Sequence, residues 1–437
     1  MLWSAFYNRF PFTYPDTNGY IAGDEMRRAI GYHFFIIFTA LRWSLWNVVF
    51  AQALITTLLL MRISCIMLED NKFKELIAFL ILSLLILFTD VSKYASWLMP
   101  DIFTAWIFLG GVLFFISVKR HDLLFASAVI WLGLFGHISN IFTVLLFILA
   151  SYVIMPFLKR RHPYIPKILN KLLAVTLVSL LSISALNYIT GRGFSLFPPK
   201  KSVFLMAKFI NYGMVSKTLN NYCPASGWQA CQYKDAIRSM KGTGPNFILW
   251  AKDSPYVKYD IFKDEKEAQE IIMRTFKDNF RDITLYSLIE TILLLRESDV
   301  GDGLDFPGSI NDYPAIKAAY PDEFDDFASS RESLSLPLKV RVFQFQNKKF
   351  HRWVFRAALF LIIILLFKRR YGLLALMISL LFFIFLNALV TASISALVAR
   401  YNMRVIWLIP FVTLLSAAVL SEKYFPRRKL NIWAKDL

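Results

Sequence analysis

A chain of 437 residues with 57% hydrophobic and 16% aromatic side chains, and only 18% charged ones, has more apolar surface than a soluble domain of that length can bury. This argues against a soluble enzyme or binding module. The net charge of +18 would suggest a nucleic-acid partner in a soluble protein, but in a membrane protein it is first a topology signal, and no DNA- or RNA-binding motif accompanies it.

In chain order, residues 1–44 form an acidic segment ahead of the first long apolar stretch. Membrane-crossing stretches are then predicted at 45–68, 74–90, 101–117, 122–137, 139–156 and 172–188, and again at 352–367, 371–390 and 405–420. Two are short, and 122–156 could be one bent helix; a re-entrant pair joined by Gly136-His137-Ile138-Ser139-Asn140 suits the length better. The predicted fold is an all-α polytopic membrane protein with about nine transmembrane helices. Six lie in residues 45–189 and three in 352–420; a large, mainly helical loop module (190–351) separates them and a basic tail (421–437) ends the chain.

The basic clusters test this count, because they must fall on alternate connections. Lys72 and Lys74 follow the first span, Lys119-Arg120-His121 the third, Lys159-Arg160-Arg161-His162 the fifth, Lys368-Arg369-Arg370 the seventh and Arg427-Arg428-Lys429 the ninth. All fall on one side, the cytoplasm. Residues 1–44, the connection at 89–100, the large loop and the connection at 391–404 are then outside, which in a bacterium places the protein in the inner membrane with the loop in the periplasm. An exported N-terminal segment ordinarily follows a signal anchor, and Met1-Leu2-Trp3 supplies no apolar core for one. Either a helix precedes this start, or residues 31–43 enter the membrane plane as an amphipathic element.

Cys223 and Cys231 both lie in the exported loop, where an oxidising compartment favours a structural disulfide over two free thiols. No histidine stands near them, and their spacing does not suit zinc. Cys65 belongs to the first span.

The chemistry-bearing residues are acids on the exported side. Asp16 lies in Pro11-Phe12-Thr13-Tyr14-Pro15-Asp16-Thr17-Asn18-Gly19-Tyr20, between prolines, aromatics and a glycine turn. Asp90 and Asp101 bound the next exported connection, and Asp101 follows Pro100 at a helix start. Taken alone, Asp101 is explained as a cap or dipole partner. Together with Asp24 and Glu25 as outside candidates, these acids converge on one face of one membrane, where ionisable groups are costly and functional by default.

An acidic first exported segment, a second acidic site at the next exported connection, many helices and one large exported module resemble the GT-C superfamily of polytopic glycosyltransferases. That superfamily includes oligosaccharyltransferases, protein mannosyltransferases and the aminoarabinose transferases of lipid A. Residues 14–20, the Pro100-Asp101 step and the pattern from Asn221 through Tyr233 also look like a group of proteobacterial multi-pass membrane proteins over most of the chain, a likeness that brings no activity with it. The superfamily resemblance implies transfer of a sugar from a polyprenyl-phosphate donor to a lipid or surface polysaccharide. Asp16 would match the first-loop aspartate, a general base or metal ligand, and Asp101, or Asp90 in its place, the second acidic site. Such a reaction needs an acceptor hydroxyl deprotonated by a carboxylate, while cations or a divalent metal neutralise the departing phosphate. The chain departs from the superfamily pattern in having no helix before the acidic segment and no paired acids within it.

Cationic candidates are Arg400 and Arg404 in Ala399-Arg400-Tyr401-Asn402-Met403-Arg404, able to grip a lipid phosphate by paired hydrogen bonds or, alternatively, to act as interfacial anchors. His137 is similarly placed at a helix end, and Tyr20 closes the Asp16 string.

The large loop shows amphipathic stretches at 203–219, 266–276 and 283–295, expected to lie against one another or on the membrane surface. Arg296-Glu297-Ser298-Asp299-Val300-Gly301-Asp302-Gly303-Leu304-Asp305 loosely follows a calcium loop but lacks its closing glutamate, and Asp322-Glu323-Phe324-Asp325-Asp326 reads as a solvated helix face. There is no Walker motif, phosphate-binding glycine loop or Ser-His-Asp arrangement. Two further readings remain open: a transporter or flippase of envelope lipids or glycans, and a non-enzymatic envelope assembly protein. A transporter expects inverted repeats and midplane polar groups, whereas here the acids are at the surface and Arg62 and Arg356 stand near span ends.

Overall fold

The computed structural model describes residues 1–23, 28–158, 165–200, 202–297, 313–334 and 348–421. Asp24, Glu25, the basic clusters at 159–162 and 427–429, and residues 298–305 of the calcium-like stretch lie outside these.

In chain order the helices are α1 (Trp3–Asn8), α2 (Pro15–Ala22), α3 (Gly31–Ala40), α4 (Trp46–Met67), α5 (Lys74–Phe88), α6 (Val91–Ala95), α7 (Ile102–Ile116), α8 (Arg120–Gly136), α9 (Ile138–Leu158) and α10 (Ile165–Ile189). There follow α11 (Ser202–Asn211), α12 (Met214–Tyr222), α13 (Lys234–Ser239), α14 (Pro245–Trp250), α15 (Pro255–Lys258), α16 (Glu265–Asp278), α17 (Phe280–Arg296), α18 (Pro314–Ala319) and α19 (Phe324–Ala328). The chain ends in α20 (Lys348–Phe367), α21 (Tyr371–Ile394), α22 (Arg400–Ile406) and α23 (Leu408–Ser421). The described residues are thus all-α, the extended exception being one isolated parallel bridge between Phe12 and Trp97.

Every predicted apolar stretch is helical. Five helices among the described residues are long and apolar enough to cross a membrane: α4, Pro166–Ile189, Lys349–Phe367, α21, and α22 with α23 taken together. The last of these starts at Arg400, so both candidate arginines belong to its first two turns. Its interruption near Trp407 has a cause in Pro410, which cannot donate a hydrogen bond one turn back and crowds the carbonyl there.

The chain divides into two compact units. The first comprises Met1–Leu196, Ser298–Leu386 and Ala399–Leu437. In it α7 packs on α8 and α4, α10 on α8 and α9, α3 on α4 and α8, and α23 on α20 and α5. Small residues allow these close approaches. A Cβ on Gly133 would lie 2.5 Å from Ile107 Cγ1, and one on Gly31 would lie 1.9 Å from the Phe135 carbonyl oxygen. Because that second obstacle is backbone and cannot rotate away, Gly31→Ala should destabilise the protein by about 1–3 kcal/mol. The check is a lowered midpoint for thermal loss of the monodisperse peak in detergent.

Residues 313–334 also belong to the first unit, where they hold the N-terminal segment. The Ala315 N–H donates to Asn18 Oδ1 at 2.9 Å, and α18 packs on α2. Asp322, Asp325 and Asp326 are exposed, as a solvated face requires, but Glu323 is not part of it. Its carboxylate accepts from the Ser44 hydroxyl and, at 2.8 Å, from the Leu45 N–H, and so caps the start of α4.

The second unit comprises Phe197–Glu297 and Asn387–Val398. Its core joins α11, α12, α14 and α16 around Met206, Ile210, Leu219, Ile248 and Ile271. A disulfide links Cys223 to Cys231. Lys208 is buried and pairs with Glu290, and its ammonium also donates to the Ser395 carbonyl at 2.7 Å.

Candidate functional site

The site is built from three separate parts of the first unit. The first is the start of α2. Pro15 at the first helical position presets the backbone, and Thr17 completes the cap: its N–H donates to the Tyr14 carbonyl at 2.7 Å, while its hydroxyl accepts from the Tyr14 N–H at 2.9 Å. The same hydroxyl donates to the Leu98 carbonyl at 3.1 Å. Asp16 is thereby fixed on the first turn of α2 and tied to the second part, the connection before α7.

That connection is held by backbone and side-chain bonds together. The Phe12 N–H donates to the Ser96 carbonyl and the Leu98 N–H to the Phe12 carbonyl, both at 2.9 Å. The Trp97 indole donates to the Thr13 carbonyl at 2.8 Å, and Gln52 Nε2 donates to the Ala95 and Trp97 carbonyls at 3.2 and 2.8 Å. Asp101 follows at the N-cap of α7. It does not cap with its side chain, so of the two ordinary explanations for an aspartate here only the helix dipole remains.

The third part is α22, which brings Arg400 and Arg404. Arg400 Nη2 lies 3.8 Å from Asp16 Oδ2, and its Nε lies 3.8 Å from Asp101 Oδ1. Arg404 Nη1 lies 3.9 Å from the same Asp101 oxygen. Arg28 forms a close ion pair with Asp16. The Arg400 guanidinium stacks over the Tyr14 ring at 4.1 Å, with Tyr401 at 5.1 Å and Trp97 at 5.8 Å, an aromatic cage that fixes its plane. Tyr94 strengthens the anchorage by donating its hydroxyl to the Arg400 carbonyl at 3.1 Å.

Burial sets the electrostatics. Asp101 is 1% exposed, and neither of its carboxylate oxygens has a hydrogen-bond partner among the described residues. Its arginines stand just beyond hydrogen-bonding range. A buried carboxylate left in that condition is costly, and a donor entering between it and the guanidinium groups would relieve the cost.

The other expected residues fall around this cluster. Tyr20 is one turn along α2 from Asp16, with the Arg28 guanidinium 5.7 Å from its ring, and burial pushes its phenol up. His137 is one step removed: its Nδ1 is 2.8 Å from Ser139 Oγ, which accepts from Arg404 Nη2 at 3.2 Å. Asp90 is fully buried at the start of α6, where its carbonyl accepts from the Tyr94 N–H at 3.0 Å. The structure therefore brings together Asp16, Asp101, Arg400 and Arg404, sets Tyr20 and His137 beside them, and links Asp90 through the helix that carries Tyr94.

Arg28 and Glu332 were not foreseen. Glu332 Oε2 accepts from the Thr13 N–H at 2.9 Å and the Thr13 hydroxyl at 3.3 Å, three residues before Asp16. Burial pushes its carboxyl up to about 8 against the opposing pull of those bonds and of Lys93. The folded state thus holds this proton more tightly than an unfolded chain, whose glutamate titrates near 4.5. Stability is highest below that lower value, falls as pH rises towards about 8, and loses no more from this group above it. In Glu332→Gln the drop in melting temperature between pH 6 and 9 should shrink; an unchanged drop would show that the carboxyl is charged throughout.

A divalent cation does not fit these residues. Asp16 is engaged by Arg28 and Arg400, and Asp101 faces Arg400 and Arg404, so guanidinium groups stand where further oxygen ligands would have to approach. Among the described residues no group of three or more His, Cys, Asp or Glu side chains could hold a metal ion. Comparison of the chain with protein-family models, with curated proteins and with solved structures finds no match.

Proposed function

We propose that the chain is a membrane glycosyltransferase that moves a sugar from a polyprenyl-phosphate donor to a lipid or surface-polysaccharide acceptor. The observation that carries this reading is that one caged guanidinium, Arg400, lies within 4 Å of both Asp16 and Asp101, acids from different connections of the bundle. A carboxylate beside fixed cations supplies the two halves of glycosyl transfer, proton removal and stabilisation of a leaving phosphate. In this mechanism the acceptor oxygen attacks the anomeric carbon and its proton passes to Asp16. The bond from that carbon to the phosphate oxygen breaks, and the phosphate leaves with the electron pair, neutralised by Arg400 and Arg404. Asp101 positions the two arginines.

In the same reading the helices make about nine crossings of a bacterial inner membrane, with the second unit and the acidic cluster on the exported side. α5 and α7 are 15 residues each and α8 is 17, so these three would cross as short or re-entrant elements. The support is the alternation of the basic clusters along the sequence.

The test compares the lipids of a deletion strain with those of the parent by mass spectrometry. A transferase predicts loss of one sugar from an envelope glycolipid or polysaccharide and accumulation of the polyprenyl-phosphate sugar on the exported leaflet. Accumulation on the cytoplasmic leaflet would instead make the protein a flippase, and an unchanged profile would remove both.

A further inference from the structure

Among the described residues, a face of one helix in the second unit has no protein packed against it. α17 turns Ile283, Ser287 and Leu294 inward. Leu285, Leu288, Ile289, Ile292 and Leu293 are each 43–57% exposed. At about 100° per residue those five fall on a single arc opposite Ile283 and Leu294. Arg281 begins this face and Arg296 ends it, both exposed. The two acids of the helix are already paired, Asp282 with Lys217 at 3.0 Å and Glu290 with buried Lys208. α16 extends the surface: its Met273 and Phe276, with Phe280 of α17, line a shallow groove together with Lys277 and with Arg274 and Glu270, which pair at 3.7 Å.

Chain continuity indicates what covers this face. The second unit includes Asn387–Val398, which contains the end of α21, a helix long and apolar enough to cross a membrane. The unit therefore includes the last residues of that candidate span, 387–394, which puts a lipid surface at hand. An aliphatic strip of this length suits immersion rather than water, and cationic side chains at its ends suit anionic phosphate.

We propose that α17 lies in the plane of the bilayer surface, with its Leu285–Leu293 strip in the acyl region of the adjacent leaflet and Arg281, Arg296 and Lys277 among anionic phospholipid headgroups. The proposal goes beyond the transferase reading and does not depend on it. It also differs from a membrane crossing, because the inward face carries Glu290, paired with buried Lys208, a charge that a lipid-surrounded helix would not tolerate.

The experiment places a nitroxide on Leu288→Cys, or separately on Ile292→Cys, in the full chain carrying Cys65→Ser, reconstituted in vesicles of phosphatidylethanolamine and phosphatidylglycerol. A label on Lys263→Cys, at an exposed position of the same unit, is the aqueous reference. Collision with oxygen relative to a water-soluble nickel chelate should be several-fold higher at 288 and 292 than at 263. It should fall at 288 when the vesicles contain phosphatidylcholine alone. Equal nickel access at all three positions overturns the proposal. So does spin–spin broadening at 288 or 292 that disappears on dilution with unlabelled chain, since the face would then be covered by a second copy.

Discussion

In the transferase proposed above, Asp16→Asn should lower transfer of the sugar by about 100- to 10,000-fold while the protein accumulates at its normal level. Asparagine keeps the size and the hydrogen-bonding capacity of the side chain but cannot take a proton from an acceptor hydroxyl. Asp16 is 15% exposed and begins a helix whose cap depends on Tyr14 and Thr17, so the substitution leaves the local fold in place. Arg400 retains Asp101, and the cluster does not fall apart. The measurement is the envelope glycolipid profile of a deletion strain carrying the variant, set against the amount of variant protein in the membrane. Wild-type glycolipids from the variant would remove Asp16 as the base. Asp101→Asn gives the contrasting result. It removes the buried counter-charge of two arginines, so protein yield should fall along with product.

Much of the architecture is legible in the sequence, because hydropathy acts over lengths that a window can measure. Each of the nine apolar stretches is helical, the last divided between α22 and α23, and the amphipathic stretches at 203–219, 266–276 and 283–295 correspond to α11 with α12, to α16 and to α17. Asp16, Asp101, Arg400 and Arg404 could be nominated because charge next to long apolar runs is expensive wherever it occurs. Their meeting at one point could not be read, since it is set by contacts between segments hundreds of residues apart. Glu332 shows why. It stands in the large loop module with no local pattern to single it out, yet its carboxyl binds the backbone of Thr13 across a sequence separation of 319 residues. Glu323 likewise looks like one member of an acidic run, and only the placement of Ser44 and Leu45 beside it turns it into a helix cap. Arg28 carries no local pattern at all. The sequence also suggested a divalent cation as readily as arginine for neutralising a phosphate, and it is the interleaving of guanidinium groups with carboxylates that favours arginine.

Arg400→Gln should cost about 3–5 kcal/mol of stability, the usual penalty for removing one member of a buried charge cluster. The side chain is 6% exposed, and it stands between Asp16 and Asp101 with the Tyr14 ring against its face. Without it Asp101 keeps, among the described residues, only Arg404 at 3.9 Å, and the aromatic cage closes around nothing. Arg400→Lys should fall between the two, because it restores the charge but not the planar group that stacks on Tyr14 and reaches both carboxylates at once. Thermal unfolding in detergent should therefore rank wild type above Arg400→Lys and Arg400→Gln lowest. A double-mutant cycle then separates charge from packing. If the cost is an uncompensated Asp101, adding Asp101→Asn to Arg400→Gln should recover about 1–3 kcal/mol, an interaction energy of the size found for residues in one network. If the two losses simply add, Arg400 is held by its cage alone and the Asp101 contact at 3.8 Å contributes nothing to the fold.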